Sequence, residues 1–253
     1  MSTKPVSIIS GIECGYSQSF PRPGYGIYFW PCDHMVEHLP PVTDWGRRYV
    51  VTSFEGYGGD GKTLIHLIPI RDTTMVNVSY GTRYPNLLHL RELDYFFFDN
   101  STADNTNSAI ITANHPIEIV AMSGYGPLPS CVHGNTSDDC TSNSKPVMTL
   151  IPPLKPLLGR AIFQFIELSG ASDLRNYAYI TAKCSDGNKI FVNNETIAAT
   201  WRQEPVPDSE YCVFRLELER IIYEMWTSDE DTELCAVQYG FSSRSGFAFP
   251  IIF

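Results

Sequence analysis

Charged residues are scarce in this sequence, and positive charge is scarcer than negative charge. Asp, Glu, Lys and Arg make up 18% of the 253 residues, and 18 Lys and Arg face 28 Asp and Glu, which leaves a net charge of −10. Binding to nucleic acid needs Lys and Arg clustered against phosphates, so the composition argues against a nucleic-acid partner. It also disfavours an anionic membrane surface. The 43% of hydrophobic residues predicts a folded chain with substantial cores.

Long apolar runs are lacking as well. No stretch approaches the roughly 20 residues that cross a bilayer, so no membrane span is predicted. The start, Met1-Ser2-Thr3-Lys4-Pro5, lacks the apolar core of a secretory signal, which favours the cytosol. Seven cysteines and glycosylation sequons favour the outside of the cell; the sequons lie at Asn77, Asn100, Asn135 and Asn194. We therefore expect a segment of a longer secreted protein, or one with an incomplete start, located extracellularly or at the cell surface.

Signatures of catalysis and of metal binding are also missing. There is no GxSxG motif, and the six histidines are scattered. His34 and His38 stand at the i and i+4 spacing that can hold a metal on a helix. The segment Cys32–His38 is too short for a helix before Pro40-Pro41, so we predict a polar surface loop there. The acidic run Asp229–Asp231 is typical of a solvated turn. The sequence predicts no catalytic residue, no metal site and no cofactor.

One motif points towards nucleotides. Gly56–Thr63 matches the P-loop pattern GxxxxGK[ST], in which a glycine-rich turn opens a helix that cradles phosphate. The residues that follow, Leu64–Ile70, are apolar and β-leaning, and Pro69 interrupts them. A crossover helix does not fit in this space. We predict a glycine-rich hairpin between antiparallel strands, with a nucleotide-binding hydrolase as an alternative.

The residues that are abundant favour β-sheet. Aromatics reach 13%, and 18 Gly with 18 Pro supply turns. Within Tyr211–Leu218 apolar residues alternate at period two, which predicts a strand, a turn at Glu219-Arg220 and a second strand. Other strand-like runs recur every 8 to 15 residues; they are Val6–Ile9, Arg48–Phe54, Leu64–Ile70, Met75–Val78, Ala109–Thr112, Ile117–Met122, Ala161–Ile166, Tyr177–Ala182, Lys189–Val192 and Leu234–Tyr239. This spacing is typical of an all-β sandwich or barrel.

Part of the first half of the chain reappears in the second half. Leu39-Pro40-Pro41-Val42 and Ile151-Pro152-Pro153-Leu154, here called the Pro-Pro motifs, are each followed by a Gly-Arg pair and a strand-like run, at an offset of 112 to 113 residues. An upstream segment also matches, residues 4–11 against 115–122, and residues 232–237 echo it weakly. We predict two tandem antiparallel β-sandwich repeats packed together: residues 1–126, with the strand 4–11 leading, and residues 127–253.

The cysteines follow the same repeat. Cys14 and Cys32 occupy places equivalent to Cys131 and Cys140, which predicts the disulfides Cys14–Cys32 and Cys131–Cys140, each worth about 3 kcal/mol. Three cysteines remain. We expect one pair, with Cys184–Cys212 preferred, and one buried free thiol. The alternative, seven reduced cysteines in a cytosolic protein, stays open.

Surfaces for binding are predicted on loops, because a rigid sheet scaffold presents its loops to partners. The candidates are the two Cys-bounded loops, the Gly56–Lys62 hairpin and the loop at residues 100–108. The aromatic run Leu93–Asp99 is predicted to be a buried strand, with an exposed binding anchor as the alternative.

Several of these segments carry a family resemblance. They are Lys4-Pro5-Val6, Ser10-Gly11, Cys14, Cys32-Asp33-His34, Glu37, Leu39-Pro40-Pro41-Val42, Trp45-Gly46, Val147–Pro153 and Gln238–Phe241. With them the chain resembles the N-terminal domain of the IgGFc-binding protein family over nearly its whole length. The resemblance implies a secreted or cell-surface protein tied to mucus, adhesion or recognition. It supplies no catalytic residues, and it does not imply that this chain binds antibody.

We therefore expect a non-catalytic extracellular recognition or adhesion module. Its expected partners are an extracellular glycoprotein or glycan, or other modules of the same protein. A structural spacer in a mucus or matrix protein is the first alternative, and the nucleotide-binding hydrolase is the second.

Overall fold

The protein is an assembly of antiparallel β-sheets. The computed structural model describes residues 8–15, 33–54, 63–79, 86–91, 96–99, 108–123, 147–169, 173–242 and 245–251. Its strands are β1 Ile8–Gly15, β2 Asp33–Leu39, β3 Gly46–Thr52, β4 Thr63–Pro69, β5 Thr74–Ser79, β6 Asn86–Leu90, β7 Phe96–Asp99, β8 Ser108–Ser123, β9 Val147–Leu150, β10 Lys155–Pro156, β11 Arg160–Gln164, β12 Arg175–Lys183, β13 Ile190–Val192, β14 Glu195–Thr196, β15 Arg202–Pro205, β16 Tyr211–Glu217, β17 Ile222–Thr227, β18 Glu233–Phe241 and β19 Gly246–Pro250. One short helix, α1 Ile197–Thr200, and 3₁₀ turns at Val42–Asp44 and Cys184–Asn188 complete the described elements. The predicted all-β class is confirmed.

The first sheet is organised around β8. Its order is β6-β5-β8-β4-β7, and β3 and β9 also pair with β8. The sequence predicted two strands, Ala109–Thr112 and Ile117–Met122, but they are the two halves of this single 16-residue strand. The first half pairs with β3 and β5, and the second half pairs with β4 and β9. The polar residues and Pro116 between the halves lie where the pairing partners change.

The second sheet lies in the middle of the molecule. Its order is β10-β18-β12-β16-β15, with β19 also paired to β18. Tyr179 and Val213 pack against the first sheet. Ile180 and Phe214 point the other way, into a second core. Both faces are therefore covered, which accounts for the long apolar runs of β12, β16 and β18.

The third sheet covers the far face of the middle sheet. It has the order β11-β17-β13-β14. The predicted turn at Glu219-Arg220 is confirmed, because β16 in the middle sheet ends at Glu217 and β17 in the third sheet begins at Ile222. Phe163 and Met225 point inward from this sheet and fill the second core.

A separate two-stranded sheet joins β1 and β2. The expectation of a loop at Cys32–His38 is wrong, because Asp33–Leu39 forms β2. A strand is predicted from alternating apolar residues, and the sequence of β2 lacks this alternation because most of its residues are polar. Glu37 holds β2 against the first sheet, since its carboxylate accepts a hydrogen bond from the backbone N–H of Leu150 at 3.3 Å.

The sequence analysis made two predictions about how the strands are connected, a hairpin after β3 and a division of the chain into two repeats. The strands β3 and β4 both pair with β8 and not with each other, so the expected hairpin between them is wrong; Gly56–Lys62 itself lies outside the described residues. The Pro-Pro motifs lead into strands of different sheets, β3 in the first and β11 in the third. The division into repeats at residue 126 stays a prediction; β9, from beyond that point, belongs to the first sheet.

Candidate functional site

The second Pro-Pro motif, 112 residues after the first in sequence, packs against the start of β3, which follows the first motif. The backbone N–H of Leu154 donates to the carbonyl of Arg48 at 2.9 Å. Gly46 lies so close to Pro153 that a Cβ at this position would overlap the proline ring. The absence of a side chain at Gly46 is therefore what lets the second motif pack against the start of β3.

An open cleft of about 560 Å³ lies at this junction, and we call it the Pro-Pro cleft. It is lined by Thr43, Asp44, Trp45, Gly46, Arg47, Arg48, Pro153, Leu154 and Lys155. The 3₁₀ turn and the beginning of β3 form one wall, and the second Pro-Pro motif with β10 forms the other.

Internal hydrogen bonds fix the wall formed by the 3₁₀ turn. The N–H of Asp44 donates to Pro41 O at 2.8 Å, and that of Trp45 donates to Val42 O at 3.2 Å. The Trp45 indole N–H donates to Pro40 O at 3.3 Å, which orients the ring. These bonds hold the cleft in shape before any partner arrives.

Below the cleft, a buried tyrosine ties the first motif to β8. The hydroxyl of Tyr49 accepts a hydrogen bond from Gly46 N–H at 2.8 Å and donates to Ile117 O. Burial raises the pKa of Tyr49 well above its usual range, and the nearby Glu118 raises it further. The phenol therefore stays neutral and serves as a structural bridge.

The side chains around the cleft carry more positive than negative charge. Arg48 pairs with Glu233 on β18. Arg47 is exposed, and within the described part of the chain neither Arg47 nor Lys155 has a salt-bridge partner. The acidic side chain of Asp44 lies on the same wall. Two cations without ion-pair partners give the cleft a positive bias in a protein of net charge −10.

A buried acid lies next to this cleft. Glu118 on β8 is only 2% exposed. Burial, together with the nearby charges of Glu37 and Asp44, raises the pKa of its carboxyl to about 8. A hydrogen bond from Ile119 N–H and the charge of Lys155 oppose the shift. Near neutral pH the Glu118 carboxyl is therefore mostly protonated.

The disulfide Cys184–Cys212 is confirmed. It joins the 3₁₀ turn Cys184–Asn188 to β16 across a sequence separation of 28. Cys235 is the expected buried free thiol, and burial raises its pKa to about 12. The pairs Cys14–Cys32 and Cys131–Cys140 involve residues outside the described part and stay predictions.

The structure describes two of the four asparagines predicted as glycosylation sites. Asn77 lies half-buried in β5, and Asn194 lies exposed in the turn between β13 and β14, with φ at 67°. Asn100 and Asn135 lie outside the described residues. All of them stay predictions as glycosylation sites.

Two other kinds of site were considered from the sequence, a metal site and a P-loop. The described residues contain no group of three or more His, Cys, Asp or Glu placed to hold a metal ion. Thr63 of the P-loop-like motif opens the strand β4 and not a helix, and its buried hydroxyl accepts a hydrogen bond from Phe54 N–H at 3.4 Å. No helix among these residues is long and apolar enough to cross a membrane.

The loops predicted as binding surfaces, the two Cys-bounded loops, Gly56–Lys62 and residues 100–108, lie almost entirely outside the described residues. The Pro-Pro cleft was not predicted. The sequence shows both motifs but carries no local signal that the second packs against β3, because this contact is set by the pairing of β8 with β3 and β9. The adjacent Trp45-Gly46-Arg47-Arg48 was the available hint, since it combines an aromatic ring with two cations.

Comparison with protein-family models gives a match over most of the chain. A family model described as IgGFc binding protein matches residues 1–241. No curated protein matches the sequence. Among solved structures, the apo form of the Pleurotus ostreatus lectin (POL) aligns with 80% of this chain and 74% of its own, at 13% identity and a TM-score of 0.18.

Proposed function

Because the chain belongs to the IgGFc-binding protein family, we propose that it is an extracellular recognition module that binds a glycoprotein or glycan without acting on it chemically. The family is one of non-enzymatic binding domains found outside the cell. The disulfide Cys184–Cys212 supports this location, since such bonds persist in oxidising compartments.

The observation that carries the proposal is the Pro-Pro cleft. Its lining combines Trp45, on a wall fixed by internal hydrogen bonds, with Arg47 and Lys155, which form no salt bridge with another described residue. Aromatic and arginine side chains dominate binding energies at interfaces, and a preformed site avoids the entropic cost of ordering. The same motifs that carry the family resemblance build this site.

Binding to an immobilised mucin-type glycoprotein tests the proposal. We expect the intact chain to bind, and Trp45→Ala to weaken the affinity by about 10-fold or more, because the substitution removes the aromatic wall of the cleft. Trp226→Ala is the matched control, since Trp226 is also half-buried but lies on the third sheet, stacked on Phe191 at 4.2 Å. Equal effects of the two substitutions, or no binding by the intact chain, would contradict the proposal.

One observation favours a structural spacer as a second candidate function. The outward face of the third sheet exposes Ile162 on β11 and Ile222 on β17, which are 71% and 63% accessible, and Leu158 just before β11 is 91% accessible. Apolar residues grouped in this way are typical of contact surfaces between modules.

Sedimentation over a range of protein concentrations separates this candidate from the first. A spacer that packs against further copies of itself associates through this face, and Ile162→Lys/Ile222→Lys abolishes the association. Trp45→Ala leaves it unchanged. A chain that stays monomeric at all concentrations contradicts the spacer candidate.

A further inference from the structure

We propose that the Pro-Pro cleft recognises an acidic oligosaccharide, with its carboxylate or sulfate held by Arg47 and Lys155 and a sugar face packed on Trp45. This inference rests on the proposed function and names the chemical class of its ligand.

The charges of the cleft select an anion. Arg47 on β3 and Lys155 on β10 both line the cleft, one from each wall, so the cleft presents two cations to an anionic group bound within it. Neither forms a salt bridge with another described residue, whereas Arg48 is neutralised by Glu233. Hydrogen bonds between an ionised donor and an ionised acceptor are about twice as strong as neutral ones, and a positive cleft also attracts anions from solution.

The backbone of the cleft favours a sugar over a peptide. An extended peptide usually binds by adding a strand to a free sheet edge, which needs unpaired backbone donors. Here the N–H groups of Asp44, Trp45 and Leu154 donate to carbonyl groups within the chain, and that of Gly46 donates to Tyr49. These four donors are already used within the chain, and the side chains offer an indole ring, a threonine hydroxyl, the carboxylate of Asp44 and the cations Arg47 and Lys155.

The size of the cleft fits a short oligosaccharide. Its volume of about 560 Å³ falls within the range of about 300–1,000 Å³ that is usual for small-ligand sites. The cleft is open, so a longer glycan chain can extend beyond it on either side.

Calorimetric titration of the intact chain with four sugars tests the inference. Sialyllactose and lactose form one matched pair, and 6-sulfo-N-acetyllactosamine and N-acetyllactosamine another, so the two arms separate carboxylate from sulfate recognition. We expect at least one acidic sugar to bind about 10-fold more tightly than its neutral counterpart, with an affinity that falls as salt is added.

Charge variants locate the binding. Arg47→Ala/Lys155→Ala is expected to lose about 10-fold or more in affinity for the acidic sugar. Lys183→Ala/Arg220→Ala is the matched control, because it also removes one lysine and one arginine, from exposed pairs with Glu210 and Glu167 elsewhere on the surface. Equal affinity for acidic and neutral sugars, or equal losses in the two double variants, overturns the inference. So does tighter binding of a poly-glutamate peptide.

Failure of the inference differs from failure of the proposed function. If the intact chain binds the mucin-type glycoprotein in a Trp45-dependent way but ignores the charge of the sugar, only the acidic ligand class is wrong. If it binds neither the glycoprotein nor any sugar, the recognition function itself is wrong.

Discussion

Gly46 and Gly159 follow the two Pro-Pro motifs at matching places, but the fold requires them for different reasons. Gly46 touches Pro153 of the other motif. Gly159 has open space around it and a φ of 89°, a conformation that other residues adopt only with strain. The two glycines match in the sequence repeat, but the structure shows a packing contact for Gly46 and a backbone bend of positive φ for Gly159.

Alanine at each glycine separates these roles. We expect Gly46→Ala to cost roughly 1 to 3 kcal/mol of unfolding free energy, because its methyl group overlaps Pro153, and to weaken glycoprotein binding as the cleft wall shifts. Gly159→Ala is expected to cost about 1 kcal/mol through backbone strain and to leave binding unchanged. Urea denaturation and binding assays on both variants measure this. A Gly46→Ala variant with native stability and binding would falsify the packing role.

The buried Glu118 predicts a pH dependence of stability. Its pKa is raised from 4.5 to about 8 in the folded state. Between these values the folded state keeps a proton that the unfolded state has released, so this group lowers stability as pH rises. Glu118→Gln removes the penalty, and the amide oxygen can still accept the hydrogen bond from Ile119. We expect a gain of roughly 1 to 3 kcal/mol at pH 7.

Urea denaturation from pH 5 to pH 9 measures the effect of Glu118→Gln. The gain is expected to grow with pH across this window and to level off above about pH 8. Exposed Glu230 provides the control, since Glu230→Gln should leave the profile of the parent chain unchanged. A gain from Glu118→Gln that is constant with pH contradicts the role of its ionisation.

Individual strands could be predicted where the sequence of the strand itself shows a clear pattern of apolar residues. The sequence predicted the strands β12, β16 and β18, because burial of both their faces gives them long apolar runs. β2 and β15 were missed, because most of their residues are polar. The Pro-Pro cleft could not be predicted from its motifs alone, since the contact depends on strand pairings that link distant parts of the chain.

The disulfide Cys184–Cys212 joins two elements of the middle layer, and its loss should be measurable. Cys184→Ala/Cys212→Ala is expected to lose about 3 to 4 kcal/mol of unfolding free energy, because the bond restricts the unfolded chain over a separation of 28 residues. A reductant should destabilise the parent chain and Cys235→Ala by more than it destabilises the double variant, in which only the predicted disulfides Cys14–Cys32 and Cys131–Cys140 remain to be reduced. Equal sensitivity of all three proteins to reductant contradicts this assignment.

At the scale of the whole molecule, the middle sheet belongs to two cores at once. One core joins it to the first sheet and the other to the third. A buried polar link also crosses the first of these interfaces, where Arg215 on β16 binds Thr52 on β3 and pairs with Glu204 at 3.2 Å. Removing either outer layer would expose a large apolar face of the middle sheet.

This shared sheet predicts that the intact chain unfolds in one step. The calorimetric enthalpy should equal the van't Hoff enthalpy, because the first core is built from residues of both halves and loses one of its sides when either half unfolds. Separate fragments 1–126 and 127–253, cut at the boundary that the sequence repeat predicts, test the same point. We expect each fragment alone to expose apolar surface of the first core and to be less stable than the intact chain, since β9 loses β8 and the middle sheet loses the cover of the first. Two resolved transitions in the intact chain, each matching one fragment, would instead identify two independently stable repeats.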